Sequence, residues 1–538
     1  MISVGDAAYE TCRDLGLTTM FANPGSTEIP FLCRSDSGIR FVLALHEGSV
    51  VGAATGFALA TGDPSLAVLH TAAGYGNAVG ALATARVNRA PLVVIVGQQD
   101  RRHLPLRPFL AGDLDGLAGS YPVWRCQPAL ATDVPGSIEQ AWHEAKTRRG
   151  PAVVVVPMDD WDAEAKPGSR VAARRIVDAS AADPRAIEDL AALIETSASP
   201  AIVAGAAADS EEAWQATVSL AERLQAPVWQ EAFGARAGFP QDHRLFAGHL
   251  PSSRGRLRCS LRQHDLIVVI GAPAFRQYPY ESGPLVEEGV RVAMVVDDPE
   301  VAHHSPADLA IIGPIPAVIS RLANLVTARR PRQNQAESDA IAMLEGSPAA
   351  TGSTHVLRPS DVFRGLARRV DEDCVVVEEC PSSRPDLHRI LPARRPLGFV
   401  SAAMGGLGFA MPAAVGIRMG LPERQVVAVT GDGSALYGIQ AVWTAVHYKV
   451  AVVFVVLSNG RYAIMDHLAT RRGMPGPWPS FSEINIAQIA RGFGCSTRRV
   501  EGHRELEDAL DEAVSHWTRA DEPLLIDAVV GDGSEFTP

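Results

Sequence analysis

Short, uninterrupted apolar runs recur along this chain, and they restrict its fold more than any other feature. "PLVVIVG", "PAVVVVP", "DLIVVIGAP", "RQVVAVTGDG" and "VAVVFVVLSNG" are rich in β-branched residues and show no polar alternation. A strand that is apolar on both sides is buried on both faces, which is the condition of a parallel sheet covered by helices. Helical patterns separate the runs, so the expected class is α/β. The pattern divides into three blocks, 1–165, 184–328 and 356–538. Between them lie two polar stretches containing proline and alanine, the clearer being "ARRPRQNQAESDAIAMLEGSPAATGSTH", composed as surface connections are.

A chain of 538 residues exceeds what one hydrophobic core supports, in keeping with several domains. The net charge of −12 argues against a nucleic-acid or anionic-membrane surface. The longest apolar run stops at Ser458, well short of the ~18 residues of a membrane helix. "MISVGDAAYE" has neither a basic nor an apolar leader segment, so the expectation is a cytoplasmic protein with a small-molecule partner. Seven cysteines without a CxxC pair suit reduced, packed thiols better than a disulfide framework or a structural zinc site.

Three stretches could carry chemistry. In "FVLALHEGSVVGAATGFALATG" a strand-like run meets His46 and Glu47, then a small-residue segment that predicts a buried helix. A carboxylate there is costly unless partnered; its plainer use is to face the helix dipole. "LHTAAGYGNAVG" follows a strand and opens a helix with Gly74, Gly76 and Gly80. Its spacing is GxGxxxG, and the next strand ends in two glutamines before Asp100. A dinucleotide fingerprint wants GxGxxG and a ribose-binding acid there, so an NAD-dependent dehydrogenase is only a competing reading. In the third stretch one apolar strand ends at Gly431, Asp432 and Gly433, and the next ends at Ser458, Asn459 and Gly460. Neighbouring parallel strands share a carboxyl edge, so Asp432 and Asn459 can converge into a hard oxygen site for Mg2+ or Ca2+. Gly433 and Ser434 open the following helix, where free N–H groups suit a phosphate.

Gly-Asp-Gly, then 25 residues, then Asn459 resembles the thiamine-diphosphate motif of the 2-oxo acid decarboxylase and acetohydroxyacid synthase superfamily. The likeness covers the whole chain and is closest to the benzoylformate decarboxylase branch. "NPGSTEIPFL", "LALHEG", "LHTAAGYGNAVG", "VGQQD", "GAPAFR", "GGLGFAMPAAVGI" and "TGDGSALYGIQAVWTA" fall in the family's order. The resemblance implies three α/β domains with parallel sheets: pyrimidine-binding (1–165), central (184–328) and diphosphate- and metal-binding (356–538). It also implies thiamine diphosphate as cofactor, with Glu47 on N1′ of the aminopyrimidine ring.

By the same resemblance, Asp432, Asn459 and the Arg461 carbonyl hold the metal, with Ser382, Gly433, Ser434 and Tyr462 near the diphosphate. The Gly405 carbonyl meets the 4′-amino group, and Leu407 is the apolar wedge that bends the cofactor; Leu407 could equally be simple core. Ser26 and His70 face the substrate, one holding its carboxylate and the other moving protons. Phe109, Leu110 and Leu468 align with pocket walls, which points to an aryl or hydrophobic substituent. Glu47 of one subunit is expected to meet Asp432 of another, so that a homodimer, commonly within a homotetramer, makes the site. "VAGAAADSEEAW" carries no nucleotide motif, and no flavin is expected.

The implied activity is that of a thiamine-diphosphate-dependent carboxy-lyase, converting a 2-oxo acid to an aldehyde and CO2. One departure bears on it. In "GAPAFRQYPYESG" Tyr278 stands where benzoylformate decarboxylase carries a second active-site histidine, and tyrosine is the weaker acid at neutral pH. Tyr278 is therefore a candidate catalytic residue. It also keeps open two alternatives: a carboligase or lyase acting on 2-hydroxy ketones, and a non-catalytic homologue. The cationic run Arg101, Arg102, His103 and Arg107 reads as solvated charge, or as the seat of a second anionic group on the substrate. His303-His304 and Asp159-Asp160 read as loop residues.

Overall fold

The structure is a computed structural model describing residues 2–34, 38–166, 176, 181–330, 356–519 and 521–531. Most of the first expected linker and residues 331–355 of the second lie outside the described residues. Three six-stranded sheets account for the strands. Every pairing with a described register is parallel, as uninterrupted apolar strands require.

The first sheet contains β1 (Thr19–Ala22), β2 (Arg40–Leu43), β3 (Ser65–Leu69), β4 (Leu92–Gln98), β5 (Trp124–Cys126) and β6 (Pro151–Pro157). Its order is β2-β1-β3-β4-β6-β5. The second contains β7 (Pro200–Ala204), β8 (Val228–Gln230), β9 (Phe246–His249), β10 (Leu266–Ile270), β11 (Arg291–Val296) and β12 (Leu309–Ile312), in the order β12-β11-β10-β7-β8-β9. The third contains β13 (Val375–Glu379), β14 (Phe399–Ser401), β15 (Val426–Gly431), β16 (Val453–Ser458), β17 (Ser496–Val500) and β18 (Leu524–Val529), in the order β14-β13-β15-β16-β18-β17.

The chain forms two compact units. One comprises Met1–Ile176, Val376–Pro381 and Ala402–Val530; the other Val177–Val375, Ser382–Ser401 and Gly531–Pro538. Within the first unit, helix Glu47–Thr61 packs on helix Ala410–Gly420. The crossing is closer than side chains permit. A Cβ on Gly56 would lie 2.0 Å from the Ala413 carbonyl oxygen, and one on Gly416 would lie 1.9 Å from that of Ala53. Glycine at both crossing points lets the backbones touch.

The order of the first sheet reverses between β1 and β3, and ligands of open α/β sheets bind outside the carboxyl ends at such a point. Asn23 follows β1 there, His70 follows β3, and Glu47 lies four residues beyond β2. No described helix is long and apolar enough to cross a membrane.

Candidate functional site

Glu47 opens its helix and is buried. His46, in extended conformation, caps that helix by accepting the Gly48 N–H at Nδ1, 3.0 Å away. The carboxylate is not left to the helix dipole. Asn23 Nδ2 donates to Oε1 and Asn77 Nδ2 to Oε2, both at 3.0 Å. Two neutral amides fix the carboxylate's plane while each oxygen keeps a lone pair for a further donor. Gly74 makes the approach possible, since a Cβ there would stand 3.2 Å from Glu47 Cγ.

That placement overturns the dinucleotide reading. Gly74, Gly76 and Gly80 lie inside helix Thr71–Val87, not in a loop before it. Gly74 is spent on Glu47, and nothing stands within 4 Å of a Cβ at Gly76 or Gly80.

His70 precedes that helix, and Thr71 has a φ of 34°. A β-branched residue there is strained, and such strain concentrates at functional sites. The imidazole is tightly held. Nδ1 lies 3.0 Å from Glu28 Oε2 and 3.1 Å from Thr27 Oγ1. Glu28 is buried, accepts the Gly25 N–H at 3.0 Å and also takes the Thr27 hydroxyl. Gly25 and Gly97 line this pair, because a Cβ on either would overlap His70 or Glu28. A carboxylate bonded to one ring nitrogen leaves Nε2 as the atom available to a ligand. Ser26, in the same turn, is exposed.

At the third sheet, Asp432 follows β15 and Asn459 follows β16, and they converge as the parallel pairing requires. Asp432 Oδ1 accepts the Gly433 N–H at 2.7 Å, and Oδ2 accepts those of Asn459 and Gly460 at 2.9 and 2.7 Å. Desolvation raises the Asp432 pKa; these N–H bonds oppose it, and the charge of Asp527 adds to it. The Gly433 N–H is therefore committed to Asp432 and is not the free phosphate donor that the spacing suggested. Asn459 Oδ1 accepts the Arg461 N–H at 3.2 Å. The Tyr462 ring stands over Gly433, where a Cβ would meet it at 2.7 Å, and is steadied by Phe481 at 5.0 Å. Ser434 is buried beside it.

The donor set tests which metal would fit. Asp432 Oδ1 and Asn459 Oδ1 each accept one N–H and keep a lone pair, and hard oxygens of this kind suit Mg2+ or Ca2+. No group of three or more His, Cys, Asp or Glu residues among the described residues competes with it.

The turn that carries Gly405 and Leu407 leads into helix Ala410–Gly420, with φ of 71° at Gly405 and 90° at Gly408. Leu407 is 38 % exposed and Met404 47 %, so Leu407 is not core within this chain. Beneath the turn lies Glu379, a buried carboxylate that the sequence reading did not single out. Desolvation pushes it up to about 7 against the pull of three backbone N–H groups.

Phe109 is 88 % exposed, Leu110 is exposed with a φ of 66°, and Leu468 is half-buried. Ser382 and Tyr278 belong to the second compact unit, and the Tyr278 side chain is largely exposed. No described hydrogen bond or ion pair joins the Glu47 group to the Asp432 group. Arg101 holds the buried Asp160 through two 2.7 Å bonds, so Arg101 is not plain solvated charge, and Asp160, in a short helix Met158–Asp160, is not a loop residue.

Comparison with known proteins converges on one family. Models described as the N-terminal TPP binding domain, the central domain and the C-terminal TPP binding domain of thiamine pyrophosphate enzymes match residues 2–118, 187–322 and 382–528. A benzoylformate decarboxylase of Pseudomonas aeruginosa is 37 % identical over 98 % of each chain. The acetolactate synthase isozyme 3 large subunit of Escherichia coli is 26 % identical, over 99 % of this chain and 96 % of its own. The structure of a thiamine diphosphate-dependent 4-hydroxybenzoylformate decarboxylase from Rhodococcus jostii superposes with a TM-score of 0.92 at 36 % identity, covering 98 % of this chain and 99 % of that one. Benzoylformate decarboxylase from Polynucleobacter necessarius gives 0.91 at 32 %, with the same coverage.

Proposed function

Because this chain belongs to the thiamine pyrophosphate enzyme family, we propose that it is a thiamine-diphosphate-dependent 2-oxo acid decarboxylase. Its substrate carries an aryl or hydrophobic substituent, and its products are an aldehyde and CO2. The observation that carries this reading is the buried Glu47 carboxylate, aimed by two asparagines at a sheet switch point. The likeness to decarboxylases over nearly the whole chain supports it.

When bound, thiamine diphosphate supplies the nucleophilic carbon and the electron sink for loss of CO2. The protein's share is binding, orientation and proton handling. Glu47 would bind the ring nitrogen of the aminopyrimidine and hold a proton there. The Gly405 carbonyl would accept from the amino group, and the exposed Leu407 would offer the cofactor an apolar surface. Ser434, Tyr462 and Ser382 would face the diphosphate. Asp432, the Asn459 side chain and the Arg461 carbonyl would hold Mg2+ or Ca2+. Ser26 holds the substrate carboxylate. His70, oriented by Glu28, delivers or removes protons at Nε2, with Tyr278 in the secondary acid's place. Phe109, Leu110 and Leu468 wall the substituent.

A homodimer, within a homotetramer, would bring Glu47 of one copy to Asp432 of the other. Met404 and Leu407, exposed on one turn, leave an apolar surface available to such a contact. Seven free thiols are in keeping with a cytoplasmic setting.

The test is CO2 release from a panel of 2-oxo acids with thiamine diphosphate and Mg2+, for wild type and Glu47→Gln, with aldehyde and 2-hydroxy ketone also assayed. Aldehyde formation that collapses in Glu47→Gln is expected. A bound cofactor with no CO2 from any acid, or ketone as the sole product, would replace decarboxylation with carboligation or cleavage of 2-hydroxy ketones.

A further inference from the structure

The turn 402–409 is pinned at both ends by buried polar side chains, while its middle stays open. Asn88 Oδ1 accepts the Ala403 N–H at 2.8 Å, and Asn88 is 1 % exposed. At the other end Glu379, 3 % exposed, accepts three successive N–H groups: Gly408 on Oε1 at 2.6 Å, then Phe409 and Ala410 on Oε2 at 2.8 and 2.7 Å. Between these anchors Met404 and Leu407 face outward. For stability alone this is a poor bargain, because a buried carboxylate is costly and an exposed leucine contributes little. It makes sense if the turn must present its tip in one fixed geometry, since charge-assisted bonds are the strong and directional ones.

We propose that Glu379 is a positioning residue for the reaction: its carboxylate clamps the 408–410 backbone and so fixes where Gly405 and Leu407 meet the cofactor. The inference rests on the reading of those two residues as the cofactor's seat. Three features agree with it. Gly408 has a left-handed φ, and a Cβ there would stand 3.0 Å from Tyr437 Cβ, so the turn has no slack on that side. The same bonds cap helix Ala410–Gly420, which packs on the helix that Glu47 opens. Burial pushes the Glu379 carboxyl up to about 7 against three N–H bonds that favour its charged form, so the carboxyl is placed there at a desolvation cost.

Glu379→Gln isolates the clamp. An amide keeps the shape but offers acceptors on one oxygen only, so its NH2 must face a backbone N–H. With the variant verified as folded by circular dichroism and its melting temperature, two changes are expected. The thiamine diphosphate Kd in Mg2+ rises, and kcat at saturating cofactor falls, each by about 10- to 100-fold, the effect of one lost bond to a charged group. The KM for the 2-oxo acid stays unchanged, because Glu379 does not touch substrate. A lowered melting temperature with Kd and kcat unchanged would overturn the inference and leave Glu379 a purely structural cap. If Glu379→Gln does not fold, Glu379→Asp reads the same quantities, with a smaller shift in the same direction expected and no shift overturning the proposal. Wild type that binds no thiamine diphosphate would overturn the functional reading and this inference together; an unaffected variant beside a binding wild type overturns the inference alone.

Discussion

Alanine at Gly416 or Gly56 would test the helix crossing on which the Glu47 site stands. The added Cβ at Gly416 would lie 1.9 Å from the Ala53 oxygen, and at Gly56 2.0 Å from the Ala413 oxygen. Real Cβ contacts essentially never fall under 3.0 Å, so the helices must part by 3.0 − 1.9 = 1.1 Å or 3.0 − 2.0 = 1.0 Å respectively. The obstructing atoms are backbone and cannot rotate away. A gap of that size forfeits a quarter to a half of the contact energy, about 1–3 kcal/mol over a few tens of atom pairs at ~0.1–0.2 kcal/mol each. That agrees with the usual cost of overpacking, about 1–3 kcal/mol. Both substitutions demand the same separation, so once the helices have moved for one, the second costs little. The Gly56→Ala/Gly416→Ala pair should therefore lose about as much as either single variant, an interaction energy of about 1 kcal/mol or more. Thermal and urea unfolding of the four proteins measures this. Fully additive losses, or no loss in either single variant, would refute the close crossing as the reason for glycine.

Glu28→Gln leaves His70 without its charged partner at 3.0 Å, and kcat should fall about 10- to 100-fold with cofactor affinity unchanged; an equal loss of cofactor binding would argue against a role confined to His70. Asp432→Asn should weaken Mg2+ at least about tenfold in a titration without substrate, and a chelator should strip the wild type reversibly; tight Mg2+ in the variant would move the metal elsewhere. In the second unit the His249 and His388 rings lie 3.9 Å apart, tilted by 35°. Burial, aided by the charge of Arg384, holds His249 down at about 3 and, aided also by His249, His388 well below 6.5. Both folded values lie below the unfolded one, so unfolding takes up protons. Stability from the neutral pair is complete above pH 6.5 and falls as pH drops toward 3. The melting temperature should thus decline more steeply below pH 6.5 in wild type than in His388→Phe, and equal slopes would exclude the pair as the cause.

Most interior strands were legible because they are continuous apolar runs whose burial on both faces leaves no other placement. β5, β9, β12, β14 and β17 escaped that reading. Each ends its sheet, is short, and in four of the five cases is only partly buried, so it needs no such run. Asp432 and Asn459 could be paired from spacing alone, since two consecutive parallel strands bring their carboxyl ends to one edge.

The partners of the active groups were not legible. Glu47 meets Asn23 and Asn77, His70 meets Glu28, and Glu379 meets residues 408–410. Each contact joins segments 24 to 42 positions apart, and which segments become neighbours depends on strand order and helix crossing. Local pattern decides whether a residue lies in a strand or a helix and on which face. It carries no record of which strand lies beside which, so the class of sheet and its chemistry-bearing ends were already set by the amino acids in order. The aim of each carboxylate was decided only when the sheets closed around it.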